Sequence, residues 1–316
     1  MALGVNTILD QAARSGNSES YAVTYDLVKE NPLLALAPAV GRAGGFFEGT
    51  IQTAEPTIAA RAINQGTAPS KAQFTPTLFK ASAYTPVSKV DEIEASKNPN
   101  GVASEIALQN EPHMRALANQ VENDAFNAAG GDGVNMTGLQ FVKPSFDVTV
   151  DGVTVLGAGG SGSALTSIYF LKFGVNGFQW LYNSNVGAGA TAQYMGLLET
   201  VDSGGTNEYF AHTTKFNWEI GIAPNAAGIG RYANIDSGNK PDLGDISKLI
   251  TYGKFGYDAI VCSRQAMDYV NQFTTNPIDY TVQGDGMKKL DVRVQSINGV
   301  PIFVSDGISN AEAEIS

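Results

Sequence analysis

Between Phe46 and Val90 the chain carries two strand-like runs, and the stretch joining them has nothing from which to build a core. The first run, Phe46-Phe47-Glu48-Gly49-Thr50-Ile51, and the second, residues 74–84, alternate weakly and are rich in Thr, Ala, Pro and β-branched residues. Gly66, Pro69 and Ser70 between them are loop formers. The expectation is a long hairpin in which some ~30 residues project from the body, and so long a stretch without its own core needs a partner surface to lie on.

The flanking segments read differently. Residues 1–45 are short-range in pattern, with Leu33-Leu34-Ala35-Leu36 behind Pro32 and a cluster of Gly41, Gly44 and Gly45, and read as an arm rather than a domain. Residues 101–129 carry the strongest helical signal: Met114, Leu117, Val121 and Ala125 fall on one face at helical spacing, with Gly130-Gly131 closing the run. Asn110-Glu111-Pro112 offers an alternative start or a kink. Val148-Thr149-Val150-Asp151-Gly152-Val153-Thr154-Val155 predicts a hairpin on Asp151-Gly152, with Val150 opposite Val153, Val148 opposite Val155 and Thr149 opposite Thr154. Residues 168–173 and 216–222 also alternate and are expected as neighbours in one sheet. Beyond Asp236 the pattern becomes a helix near 245–252, a strand near 259–262, a helix over 263–273 and a hairpin on Asn298-Gly299, suggesting a second, α/β-like lobe. The class is α+β, without internal repeats.

At 316 residues the chain has room for about two compact regions. Hydrophobic residues make up 43% and charged residues only 16%, which excludes a disordered chain and suggests a surface covered by something other than water. A net charge of −11 would repel a phosphate backbone, so sequence-specific nucleic-acid binding is not expected. The N-terminal residues lack a basic region followed by an apolar run, no stretch approaches the ~18 apolar residues of a membrane span, and folding in a reducing cytoplasm is expected. Cys262, the single cysteine, sits in an apolar run and reads as a buried core thiol.

Motifs that could carry chemistry fail in context. Gly157-Ala158-Gly159-Gly160-Ser161-Gly162 has the spacing of a dinucleotide-binding loop, but the segment after it reads as strand instead of the helix whose amides would hold a pyrophosphate, so a flexible glycine-rich loop is expected. Asp202-Ser203-Gly204-Gly205 is similar to a serine-protease nucleophile loop, yet only His113 and His212 could supply a base and neither lies in a matching motif. Two histidines and one cysteine cannot make a zinc site of ordinary spacing, and no calcium-loop pattern occurs. Lys288-Lys289, flanked by Asp285 and Asp291, reads as solvated surface, and Trp180 and Trp218 as core. No catalytic, cofactor-binding or metal-ligating residues are expected.

Four segments, taken in order, resemble the major capsid proteins of tailed bacteriophages. They are Arg61-Ala62-Ile63-Asn64-Gln65-Gly66-Thr67-Ala68-Pro69-Ser70-Lys71 with Val87-Ser88-Lys89-Val90-Asp91; Ala125-Phe126-Asn127 with Thr137-Gly138-Leu139; Phe216-Asn217-Trp218-Glu219 with Arg231-Tyr232-Ala233-Asn234-Ile235-Asp236; and Ile297-Asn298-Gly299-Val300-Pro301-Ile302 with Ser305-Asp306-Gly307. Two stretches depart from the pattern: Tyr182-Asn183-Ser184, where a proline-lysine-glycine turn is frequent, and the glycine-rich residues 186–192.

The resemblance implies the tailed-phage major capsid fold: an N-terminal arm (1–45), an extended β-hairpin loop (46–90), a peripheral domain with a long spine helix and β-sheet (91–236), an axial α/β domain (237–305) and a C-terminal tail (306–316). It further implies a non-enzymatic subunit that self-assembles into pentamers and hexamers of an icosahedral capsid around double-stranded DNA, assembled in the host cytoplasm. The partners implied are copies of itself, a scaffolding protein and portal, a decoration protein, and packaged DNA held without sequence-specific binding; no membrane is implied. The short arm before Phe46 leaves scaffolding to a separate protein. An encapsulin-like compartment shell, which shares the fold but encloses protein cargo, is the alternative. Some capsids of this fold cross-link a loop lysine to a neighbour's asparagine; Lys71 and Lys80 are the candidates here, and the reaction needs a nearby carboxylate that the sequence does not place.

Overall fold

The computed structural model describes residues 7–14, 24, 31–54, 56–61, 63–130, 135–149, 152–201, 204–272 and 295–316. Among these the strands form three sheets. One has seven strands in the order β14 (Gln295–Ile297), β15 (Val300–Val304), β13 (Ala259–Cys262), β8 (Thr166–Leu171), β12 (Ile229–Ile235), β7 (Gly152–Gly157), β6 (Asp147–Thr149). The second has six. Its path runs β1 (Ala39–Arg42), β9 (Trp180–Asn183), β11 (Glu208–Ile222), β10 (Thr191–Val201), while β4 (Ser82–Tyr84) and β5 (Val87–Asp91) also pair with β11. The third is the hairpin of β2 (Phe46–Ala54) and β3 (Gln73–Lys80). The helices used below are α1 (Ile8–Arg14), α2 (Pro32–Leu36), α3 (Glu92–Lys97), α4 (Val102–Asn127), α5 (Leu139–Val142), α6 (Leu243–Tyr252) and α7 (Arg264–Asn271).

Strand β8 divides the interior. All six of its residues are buried, and because side chains alternate along a strand they serve two cores. Tyr169 and Leu171 pack with Leu117, Val121 and Phe126 of α4 and with Trp180 and Trp218. Ile168 and Phe170 face the other way, onto Ile246 and Leu249 of α6 and Ala266 and Val270 of α7. Strand β11 shows the simpler alternation of a half-covered sheet: Phe216, Trp218, Ile220 and Ile222 point into the first core, while Lys215 is exposed.

The long amphipathic run is a single helix, α4, of 26 residues. It begins at Gly101 and passes through Pro112 without ending. Proline removes one intrahelical hydrogen bond, the one to the Leu108 carbonyl, and both residues lie on the solvent side where water can replace it. Only the C-terminal half is on the core, through Leu117, Ala118, Val121, Ala125 and Phe126, with Met114 packed at the margin. Asn98 and Asp124 fix its flanks: Asn98 donates to Glu105 at 2.6 Å, and Tyr84 donates to Asp124 at 2.6 Å.

Four expectations need correction. Strands β8 and β11 are not neighbours; they lie in different sheets, since β8 is claimed on both edges by β12 and β13. The lobe beyond Asp236 has no sheet of its own, because β13, β14 and β15 join β6, β7, β8 and β12 from the preceding stretch. The hairpin of β6 and β7 has a shifted register, with Val148 opposite Val153 and Thr149 opposite Gly152. Its pairing is set by β7, whose Val155 is wholly buried and locked in register with Arg231, so the edge strand β6 accommodates through an irregularity at Asp147. Residues 150 and 151 lie outside the described set. Finally, residues 31–42 are integral to the body: Leu33, Leu34 and Ala37 are core, Asn31 donates to the Ala118 carbonyl at 2.8 Å, and β1 pairs in parallel with β9. The hairpin at Asn298-Gly299 matches expectation, with φ of 51° and 82° as a type I′ turn requires.

A buried ion pair ties these parts together. Arg231, on β12, donates to Ser167 on β8 at 3.0 Å, to the carbonyls of Lys143 and Gln140 beside α5 at 2.8 and 3.3 Å, and to Glu312 of the C-terminal segment at 2.8 Å. Both partners of the pair are within 1% of full burial. Glu312 also accepts from the Ser167 hydroxyl and, at 3.4 Å, from Tyr169. Removing one member strands the other charge. Glu312→Ala is therefore expected to cost about 3–5 kcal/mol, whereas the double change Arg231→Met with Glu312→Leu should cost far less, because no buried charge remains. Urea unfolding midpoints of the two variants against the parent check this.

Candidate assembly surfaces

The hairpin of β2 and β3 is anchored at its root and bare at its end. At the root, Phe79 is buried against Leu181 and Ala223 with Val40 and Phe47 beside it, and Arg42 lies over the Phe47 ring at 5.3 Å. Gly221 of β11 approaches the Lys80 carbonyl so closely that a Cβ would sit 2.5 Å from it, which fixes the hairpin to the six-stranded sheet. Beyond Ala54 the chain runs from Pro56 to Lys71 with every described residue exposed. Ile58 and Ile63 are 91% and 90% exposed, an arrangement that isolated subunits avoid for large apolar side chains at this density. Lys71 lies exposed on this stretch and Lys80 half-buried at its root.

A second apolar surface lies on the β10–β11 ribbon. Tyr194, Met195, Leu197, Leu198 and Val201 of β10 and Phe210 of β11 are all exposed. Strand β10 pairs only with β11 among the described strands, so its other edge presents unpaired backbone groups. Helix α4 covers part of the same sheet farther along: Asn110 donates to Thr214 at 3.3 Å and His113 stacks on Phe216 with ring centroids 6.3 Å apart. Ile93 on α3 and Leu108 on α4 add exposed apolar side chains nearby in the chain.

The residues weighed for chemistry are dispersed into structural roles. The Gly157–Gly162 loop is pinned rather than flexible. Ala158 and Gly160 donate to the carbonyls of Ala233 and Asn234, both at 2.9 Å, and Gly162 exchanges hydrogen bonds with Glu314. Those amides therefore face the protein itself, two of them β12 and the third the C-terminal segment. His212 accepts or donates to the Tyr194 hydroxyl at 2.7 Å on the ribbon, far along the chain from His113 on α4. Ser203 and Asp202 lie outside the described residues, as do Lys288, Lys289, Asp285 and Asp291. Cys262 is buried, and that burial pushes its thiol up to about 12. Trp180 and Trp218 are wholly buried, their indole N–H groups donating to Leu33 and Ala188 carbonyls at 3.2 and 3.1 Å. Among the described residues no cluster of three or more His, Cys, Asp or Glu could hold a metal, and no helix is long and apolar enough to cross a membrane.

Sequence reasoning missed the Arg231–Glu312 pair. A lone arginine inside Ile229–Ile235, a strand buried at every position, was the available signal. Its partner sits 81 residues away, and nothing local points to it.

The model of the family described as major capsid protein GP7 matches residues 16–316. Among solved structures, the chain is similar to a chain of bacteriophage Epsilon15 at 21% identity, over 88% of each chain, with a TM-score of 0.58. The procapsid of bacteriophage JBD30 is similar at 8% identity over 93% of this chain and 98% of that one, with a TM-score of 0.44. The SrpI encapsulin complex from Synechococcus elongatus PCC 7942 is similar at 12% identity over 65% and 87%, with a TM-score of 0.42. No curated protein sequence matches.

The pinned loop makes a measurable prediction. A Cβ at Gly160 would lie 2.5 Å from the Asn234 carbonyl and 2.7 Å from the Asp236 carboxylate. Gly160→Ala is expected to destabilise the chain by about 1–3 kcal/mol through this overpacking, while Gly162→Ala, with open space around it, should act only through its positive φ. Thermal unfolding of the two variants separates these causes.

Proposed function

The chain belongs to the family of the major capsid protein GP7, and from that premise we propose that it forms the pentamers and hexamers of an icosahedral shell closed around double-stranded DNA. It is a structural subunit of a phage capsid that assembles with copies of itself. Its fold is the one shared by tailed-phage capsid proteins.

The observation that carries the finer reading is the projecting hairpin, with Ile58 and Ile63 almost fully exposed on a segment that has no core. Burying such side chains is worth roughly 1.5–3 kcal/mol each, and in this reading a neighbouring subunit offers the surface. The apolar β10–β11 ribbon supplies a second contact. A shell subunit makes several interfaces, and stable ones bury roughly 1,200–2,000 Å² each, so modest contacts sum to a stable wall. Heterologous contacts that close into rings give capsomers, and their continuation gives the shell.

The division of labour we propose is an N-terminal segment to residue 45, an extended loop over 46–90, a peripheral region built on α4 and the six-stranded sheet, and an axial region built on the seven-stranded sheet with α6 and α7. We group the strands of the last two by sheet membership rather than by position before or after residue 236. The net charge of −11 suits a wall that holds DNA without gripping it, since a repelling surface lets the polymer slide during filling. The subunit carries no reaction of its own in this reading. It is put together in the host cytoplasm with a scaffolding protein and portal, and a decoration protein is a further candidate partner.

Negative-stain microscopy with sedimentation, on the chain expressed with and without a scaffolding protein, is the test. Regular shells or rings of five or six are expected, with nucleic acid rather than an enzyme inside native particles; a monomer under every condition contradicts the reading. A paired variant, Ile58→Asp with Ile63→Asp, is expected to lower shell yield at least tenfold on a ~1.4 kcal/mol scale per decade. Its subunit melting temperature should stay that of the parent, because neither side chain contributes to the fold.

A further inference from the structure

Glu122 occupies the joint between the long helix and the C-terminal segment. It lies on α4, is 3% exposed, and accepts a hydrogen bond from the Ser305 hydroxyl at 2.7 Å. Ser305 belongs to the turn after β15; its backbone N–H donates to the Cys262 carbonyl at 2.9 Å and its hydroxyl accepts from Gly307 at 3.1 Å. Asn127, one turn along α4, donates to the Gly307 carbonyl at 2.7 Å. Gly307 has no room for a side chain, since a Cβ would sit 2.7 Å from the Glu122 Cγ. This is how the C-terminal segment and the seven-stranded sheet meet the long helix.

The joint opens onto a cleft of about 720 Å³ between α4 and α7. The charged groups facing it are Arg115 from α4, Arg264 and Asp268 from α7, and Asp306 from the C-terminal segment. Both cations are engaged by other carboxylates. Arg264 holds Asp306 in a bidentate pair at 2.5 and 2.6 Å, and Arg115 pairs with Glu111 at 3.2 Å. Ionised Glu122 therefore confronts the Asp306 carboxylate from a buried position, with the Ser305 hydroxyl donating to it.

We propose that Glu122 is a pH-sensitive latch: uncharged, it keeps the Ser305-Asp306-Gly307 turn seated on the long helix, and ionised, it draws water from the cleft into the buried joint and loosens that seat. Burial, with Asp306 adding to it against the opposing Ser305 hydrogen bond, moves its carboxyl from 4.5 to about 7. Asp306 moves the other way, held down by Arg264, and stays ionised throughout the neutral range. The two histidines sit elsewhere, on Phe216 and Tyr194. The sign is fixed by linkage. With the seated carboxyl raised, the seated state binds the extra proton between pH 4.5 and about 7, so its stabilisation is complete in acid and falls as pH rises through that window.

Hydrogen exchange on the full chain from pH 5.5 to 8.5, corrected for intrinsic rates, tests this. If opening restores an ordinary carboxyl, protection over residues 305–316 should fall about thirtyfold across the range. Glu122→Gln should show a flat profile. A flat parent profile, or a Glu122→Gln profile with the parent's slope, overturns the latch. Should that variant not fold, Ser305→Ala removes the hydrogen bond that favours the ionised form, and its midpoint should move upward; an unmoved midpoint overturns the proposal equally.

Discussion

The guanidinium of Arg231 is wholly buried, and a charge of that kind is tolerated only where its donors and its counter-charge are both provided. Here the donors reach a side chain on β8, two backbone carbonyls at α5 and the carboxylate of Glu312, so one residue binds three separate stretches of chain to its own strand. Tyr169 links this cluster to the long helix: its ring lies 5.7 Å from the guanidinium on one side and 5.2 Å from Phe126 on the other. The seven-stranded sheet, the C-terminal segment and α4 are thus held in one relation by contacts that cannot slip singly. A purely apolar junction of the same size is often as stable or more so, but breaking this pair singly leaves a buried charge.

That rigidity gives the exposed apolar surfaces their meaning. The projecting hairpin and the β10–β11 ribbon contribute little to the interior, yet both are set at fixed angles by buried roots, Phe79 for the first and Phe216 with Trp218 for the second. Assembly needs both properties. A contact surface with no core of its own can be buried completely by a neighbour, and a root that does not yield transmits the neighbour's position to the body. The same chain therefore divides its hydrophobic residues between folding and association, which explains why 43% hydrophobic and 16% charged residues coexist with so many large apolar groups in water.

Much of this was readable in one dimension wherever the determining interactions are local. The helix over 102–127 follows from the spacing of Met114, Leu117, Val121 and Ala125, and the turn at Asn298-Gly299 from two residues that accept positive φ. The bareness of residues 56–71 was visible as an absence of any hydrophobic period between loop formers. The strand after the glycine-rich loop, β8, was legible in its alternation; the pinning of that loop by Glu314 was not, since that partner lies 152 residues away.

Sequence by itself determined the periods, the turns and the class, because alternation, helical spacing and turn chemistry are properties of neighbouring residues, and four ordered segments carried the family resemblance. Only the tertiary structure decided how the strands are shared. The pattern of β8 and β11 is equally alternating, yet they lie in different sheets, since a period of two says that a strand has two faces and never which strand lies beside it. Likewise nothing in Glu312 or Glu122 announces burial, and nothing beside Arg231 names its partners: these environments are made by residues from 64 to 183 positions away, brought together by packing that no local pattern encodes.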